Sequence, residues 1–277
     1  MTGDSPPTLE EQARRAVGGD RDAVQHLVRA LQGDVYRLAL RMLWNPQDAE
    51  DATQEILVRV ITRLSRFDFG SRLATWVYRV ATNYLLDVKK SAVERQRVTF
   101  EQFADDLADG QSTDGPTDAE RSMLTEEVKI GCTLGMLQCL DRPHRLAYIL
   151  GEILELSSSD AAEALGVEPA ALRKRLERAR ERIESFAREH CGLVSEQASC
   201  QCNRRVPAAQ RLGRARADVP QFATAPESFE QARALVRQVG DARRALEIHR
   251  ATNPADSPVD FARRVVSALE HLVRAQH

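Results

Sequence analysis

Apolar residues recur every three or four positions over most of the chain, and no long stretch shows the two-residue alternation of a strand. Val35, Leu38, Ala39 and Met42 predict one helical face over about Asp34–Leu43, interrupted by Asn45-Pro46. Ile56, Leu57, Val60, Ile61 and Leu64 predict a second helix over about Asp48–Leu64. The most regular stripe, Leu73, Trp76, Val77, Val80, Tyr84, Leu85 and Val88, predicts a buried helix face over Leu73–Lys89 after a turn at Phe67–Ser71. Farther on, Ser157–Ser159 can cap a short helix near Asp160–Leu165. A turn at Gly166 to Pro169 then leads into a longer helix to Glu189, with Leu172, Leu176, Ala179, Ile183 and Phe186 facing inward. Helix, short Gly-containing turn, longer helix is the helix-turn-helix pattern. Two more amphipathic stretches, about Ser228–Ile248 and Pro258–Arg274, predict a small C-terminal helical module.

The expected organisation is all-α, with a first domain over 10–93 and a linker over 94–120. A helix-turn-helix domain over 121–190 and a Cys-containing junction with a helical extension over 191–277 complete it. The linker assignment rests on its acidity and on Gly, Pro and Ser. Its few apolar residues, Phe100, Phe103 and Leu107, are expected to dock locally without building a core. Composition agrees with helix, since Ala, Leu, Arg and Glu dominate and aromatics are only 5%. No apolar run is long enough to cross a bilayer and the N-terminus is polar, so no membrane insertion and a cytoplasmic location are expected.

Net charge, -2, decides little, but its distribution is informative. Seven acidic and no basic residues fall within 101–120, whereas 169–190 carries seven basic residues against four acidic ones. Such a basic helix suits the major groove, where Arg and Lys reach guanine edges and phosphates. The same helix is also compatible with a solvated, salt-bridged surface, because Glu177, Glu181 and Glu184 are interspersed. Phe67, Phe69 and Arg72 form a turn suited to stacking an unpaired base beside a phosphate contact. His190, Cys191, Cys200 and Cys202 are four candidate ligands for a structural zinc, with unbound thiols as the alternative. Cys132 and Cys139 read as core cysteines. No phosphate loop or nucleophile constellation can be recognised, so nothing supports an enzyme, and no cofactor is required.

Taken together, DAEDATQEILVRVITRLSRF, FDFGSRLATWVYRVATNYLLDVKK and SSSDAAEALGVEPAALRKRLERARERI resemble the extracytoplasmic-function (group 4) sigma factors of bacteria. The resemblance covers roughly 20–90, as region 2, and 121–188, as region 4. It implies a non-catalytic subunit that gives core RNA polymerase its promoter specificity. It further implies polymerase contacts by Asp48, Glu50, Asp51, Gln54 and Glu55. Phe67, Phe69, Ser71 and Arg72 would receive a flipped −10 base, with Arg79, Asn83, Lys89 and Lys90 holding the strand. Ala171, Arg173, Lys174 and Arg178 would contact the −35 element. The chain departs from the pattern at Leu140-Asp141, at Ser159-Asp160-Ala161-Ala162, at Ala170-Ala171 and in its length. An anti-sigma factor, or intramolecular regulation by the extension, is the implied control. The competing readings are a stand-alone helix-turn-helix regulator and a metal- or redox-responsive interaction protein.

Overall fold

The computed structural model describes residues 7–88, 98–112, 118–216, 218–224, 229–240, 243–252 and 254–274, and these are all-α apart from an isolated backbone bridge. The first four helices are α1 (Leu9–Val17), α2 (Arg21–Leu43), α3 (Pro46–Thr62) and α4 (Leu73–Asp87). The Asp34–Leu43 stripe is thus the second half of a longer helix, which Asp20 caps by accepting from the amides of Asp22 and Ala23. Asn45 and Pro46 end one helix and start the next, with Asn45 accepting from the Asp48 amide. The helix-turn-helix is present as expected. It comprises α8 (Ser158–Leu165), Gly166 in the left-handed region at φ 62°, and α9 (Pro169–His190). Before it come α6 (Asp118–Gln138) and α7 (Arg142–Tyr148), the latter extended by a π-helical turn over Ile149–Ile153.

The linker expectation fails in part. Phe100–Ala108 is a helix, α5, closed at its start by a reciprocal capping box between Thr99 and Gln102. Phe103 and Leu107, four residues apart, are buried, and Phe103 stacks on Phe186 of α9 with ring centroids 5.6 Å apart. A Cβ on Gly135 would meet that Phe103 ring at 2.9 Å, so α5 lies close against α6. Glu101, Asp105 and Asp109 occupy the outer side of the docked helix, whereas Asp106 is half-buried and pairs with Arg205 and Arg214 at 3.4 and 2.6 Å, and residues 113–117 lie outside the described residues.

The C-terminal extension is also integrated. It contains α10 (Cys202–Arg211), α11 (Phe229–Arg237), α12 (Arg244–Ala251) and α13 (Phe261–Arg274). The buried Glu127 carboxylate of α6 accepts from the amides of Gln221, Phe222 and Ala223 at 2.7, 2.9 and 2.8 Å, which pins the segment after α10. The buried Arg205 guanidinium likewise donates to the Asp109 carbonyl. One continuous apolar core runs from Ala13 to Val265 through all four sequence-defined parts. Among the described residues no helix is long and apolar enough to cross a membrane.

These parts meet at the C-terminal end of α2, whose last carbonyls are buried. Gln138 donates to the carbonyls of Arg41 and Met42 at 3.3 and 3.4 Å, and Arg145 donates to those of Met42, Leu137 and Leu140. Arg41 itself is buried and donates at 3.2 Å to the Thr252 carbonyl beyond α12. Beside it His249 packs edge-on against Tyr148, with ring centroids 5.4 Å apart. Burial, reinforced by the Arg41 charge, lowers the pKa of His249 from 6.5 to about 3.

Between those two values the unfolded chain carries a proton at this position that the folded chain refuses, so folding stability falls as pH drops below about 6.5. Replacing His249 with Phe removes that term. Urea denaturation from pH 6.5 to 5 should therefore show the wild-type chain losing about 2 kcal/mol more than His249→Phe. Equal slopes for the two proteins would mean that His249 is not held neutral in this junction.

Candidate polymerase and promoter interface

Helix α3 turns its apolar side, Ile56, Leu57 and Val60, into the core, which leaves Asp48, Asp51 and Glu55 exposed and Gln54 half-buried. Acidic groups in the first turns of a helix also suit its positive end. Glu55 reaches Arg59 at 3.7 Å, an exposed pair contributing little, and Glu50 accepts a 2.8 Å hydrogen bond from the Ser257 hydroxyl. Four of the five residues expected to meet the polymerase therefore share an accessible acidic surface, and the fifth is tied to the C-terminal extension.

The aromatic turn divides its residues. Phe67 is buried, packed on Phe69 and Trp76 with ring centroids at 4.7 and 5.6 Å, so it supports the turn instead of presenting a stacking face. Phe69 is half-exposed at φ 58°, a left-handed conformation that costs a bulky residue about 1–2 kcal/mol. The Arg14 guanidinium, 4.6 Å from its ring centroid, and the bond from the Gly70 amide to Asp68 hold it there. Ser71 is half-buried and Arg72, at the N-cap of α4, is exposed.

Along α4, Leu73, Val77, Val80 and Leu85 are buried as the stripe predicts, whereas Trp76 and Tyr84 remain half-exposed. Tyr84 lies beneath the Arg59 guanidinium, 4.6 Å from its ring centroid. Arg79 and Asn83, one turn apart, are exposed, and Lys89 and Lys90 lie outside the described residues. A second side of α4 faces the helix-turn-helix domain. Its Thr82 hydroxyl donates to the Ala164 carbonyl at 2.6 Å, and its Thr75 hydroxyl donates to Asp160 at 3.2 Å. Arg142 donates to the carbonyls of Leu86 and Val88 at 3.0 and 2.7 Å, closing the C-terminal end of α4. The spacing of Thr75 and Thr82, seven residues or two turns, was the available signal for this second packing face.

On α9, Leu172, Ala179, Ile183 and Phe186 are buried, and Gly151 admits the half-buried Leu176, which an added Cβ would meet at 3.1 Å. Arg173, Lys174 and Arg178 are exposed, and among the described residues none of them makes a salt bridge. Ala171 is half-buried beside them. Arg180, in the second half of the helix, is instead taken by the buried Glu152. Arg173, Lys174 and Arg178 lie in the N-terminal half of α9, the part that enters a groove in helix-turn-helix proteins, while Arg182 and Arg188 farther along are exposed as well.

The cysteine junction differs from expectation. His190 does not join the thiols, because its ring packs on Phe186 at 4.8 Å and its Nε2 lies 3.7 Å from Glu189. Cys132 of α6 stands in the neighbourhood of Cys191, Cys200 and Cys202 instead. Cys191 and Cys200 form a parallel backbone bridge in which the Gly192 amide donates to the Cys200 carbonyl at 2.9 Å. A Cβ on Gly192 would meet that carbonyl oxygen at 2.3 Å. Among the described residues no group of three or more His, Cys, Asp or Glu side chains is arranged to hold a metal ion, and His190 stands apart from the thiols.

Comparison with known proteins agrees with this geometry. Residues 27–95 match the Sigma-70 region 2 family and residues 130–183 match the Sigma-70, region 4 family. The RNA polymerase sigma-H factor of Pseudomonas aeruginosa is 30% identical over 190 residues, which cover 66% of this chain and 94% of the relative. The ECF RNA polymerase sigma factor SigW of Bacillus subtilis is 28% identical over 193 residues, covering 65% of this chain and 97% of the relative. The solved structure of CnrH in complex with the cytosolic domain of CnrY is 20% identical, with a TM-score of 0.46, and covers 63% of this chain and 94% of that one. The two-part fold is thus that of the sigma-70 type of transcription initiation factor. Within that class the chain belongs to the extracytoplasmic-function sigma factors, RNA polymerase subunits that direct promoter-specific transcription initiation. The family consists of non-enzymatic regulators.

Burial raises the pKa of all four clustered thiols, that of Cys200 to about 12, which lowers the reactive thiolate fraction at neutral pH. Iodoacetamide should therefore label Cys132, Cys191, Cys200 and Cys202 in the native protein at least about tenfold more slowly than in the urea-unfolded chain. Peptide mass spectrometry reads each site, and native rates equal to unfolded rates would mean that the junction is open.

Proposed function

We propose that this sigma factor docks on core RNA polymerase through Asp48, Glu50, Asp51, Gln54 and Glu55, an acidic helix face complementary to a basic partner surface. Phe69 and Arg72 then hold a flipped base of the −10 element on the footing that Phe67 supplies, while Ser71, Arg79, Asn83 and the segment reaching Lys89 and Lys90 grip the strand. Ala171, Arg173, Lys174 and Arg178 enter the −35 major groove. Melting is driven by capture of unpaired bases and by phosphate contacts, without nucleotide hydrolysis. The site of action is the cytoplasm, where core polymerase and chromosome are found.

The observation that carries this reading is the unpaired set Arg173, Lys174 and Arg178 on the groove-facing half of α9. Arg173 and Lys174 sit in the first turns after the Gly166 turn and Arg178 one turn farther on, all exposed and available to base edges and phosphates. A stand-alone regulator would use the same helix, but it has no need of the exposed acidic surface of α3.

Run-off transcription on genomic fragments with purified core polymerase should give discrete start sites only when this protein is added. Changing Asp51, Gln54 and Glu55 together to Ala should abolish them. Arg173→Ala should weaken −35-dependent initiation by roughly tenfold, and each lost phosphate contact should reduce the salt slope by about one. Tight duplex binding by the protein alone, with no stimulation of polymerase, would establish the stand-alone regulator instead.

A further inference from the structure

The segment from α12 to α13 touches both DNA-reading domains. On the region 4 side, the Arg250 guanidinium donates to the Glu152 carbonyl at 2.8 Å and pairs with Glu155 at 2.9 Å, while His249 packs on Tyr148. On the region 2 side, Asp256 pairs with Arg37 at 2.6 Å and Ser257 donates to Glu50 of the acidic face. Farther along, the buried Phe261 lies against Tyr36, and Glu270 pairs with Arg21 at 2.6 Å. The two domains are also in direct contact through Thr75–Asp160, Thr82–Ala164 and Arg142. The outer cations of α4 and α9 stay accessible, but their separation is fixed. The two promoter elements lie about 25 positions apart, on the order of 80 Å along the duplex at ~3.4 Å per base pair. Helices in hydrogen-bonding contact cannot serve both elements at once.

We propose that residues 244–274 are a built-in strap that holds region 4 against region 2, and that core polymerase and promoter can be fully engaged only when the strap lets go. This rests on the sigma-factor reading above. Both family matches end before the strap, at residue 183 at the latest, so it is an addition to the two matched modules. Its Ser257–Glu50 contact sits on the surface assigned to polymerase, which makes polymerase itself a competitor for release. A closed population taxes apparent affinity by the fraction of open molecules, so weakening the strap should tighten binding to core.

The test uses the full chain with fluorophores at the exposed positions Arg63 and Glu181, inserted as unnatural amino acids. Arg250→Glu sets a carboxylate against Glu152 and Glu155, and Ser257→Asp sets one against Glu50. The double variant should lengthen the interdye distance in the free protein and tighten core-polymerase binding by about tenfold. Phe261→Asp, which attacks the strap's apolar anchor, should act in the same direction, and hydrogen exchange over 254–274 verifies release in each case. Release of the strap with unchanged distance and unchanged affinity would overturn the proposal, as would a wild-type distance that is the same free and in the promoter complex. If the wild-type chain fails to bind core polymerase at all, the docking reading falls. The strap is then upheld or rejected by whether its release changes the interdye distance.

Discussion

The buried C-terminal end of α2 is the constraint on which the rest of the molecule depends. A helix leaves its last four carbonyls without partners, and a buried carbonyl must find a donor or cost free energy. Here the donors come from outside region 2. Gln138 and Arg145 approach the carbonyls of Arg41 and Met42, while Arg41 extends to Thr252. Region 4 is thereby placed against region 2 by a hydrogen-bonding requirement as much as by apolar contact. The C-terminal segment closes the same junction from the other side. Removing any one of these three parts would leave polar groups of the other two uncovered.

Much of this fold can be read in the sequence because its main signals are local. The helix of α4, the Asn45-Pro46 break and the Gly166 turn each follow from residues close together in the chain, and each is found, although Trp76 and Tyr84 of the α4 stripe stay half-exposed. Helix α5 was also legible in principle. Thr99 and Gln102 stand at capping-box spacing, and Phe103 and Leu107 are one turn apart, but acidity and neighbouring Gly and Pro outweighed them. Phe67 shows a different limit. A turn with two aromatics does not reveal which ring faces the core, and that is settled by Trp76, nine residues away. The exposed acidic and basic sets of α3 and α9 were readable as site residues, because on an amphipathic helix whatever is not apolar faces out.

The inter-domain contacts made by arginine were not legible, and the reason lies in arginine chemistry. Arg142, Arg145 and Arg205 sit in polar stretches and look like surface charges, yet each spends its donors on backbone carbonyls inside the protein. Arg173 and Arg178, with the same side chain, face outward with no ion pair among the described residues. A guanidinium offers five donors and a long apolar stem, so it serves equally as an internal cap and as a groove-reading group. Only the fold tells the two uses apart, which is also why a net charge of -2 conceals a protein with a distinctly cationic helix.

The strap belongs to the same polypeptide as the domains it spans, and that has a consequence for how this factor is supplied to the cell. A separate inhibitor must be made in matching amounts, and dilution releases it. A tethered segment competes at an effective concentration in the millimolar range whatever the copy number. Each newly synthesised molecule therefore carries its restraint in a fixed ratio of one to one, and contacts as modest as Ser257–Glu50 and Arg21–Glu270 suffice. Doubling expression would double the restraint together with the activity, so the share of molecules able to initiate transcription is set by the chain's own free-energy balance and not by its abundance.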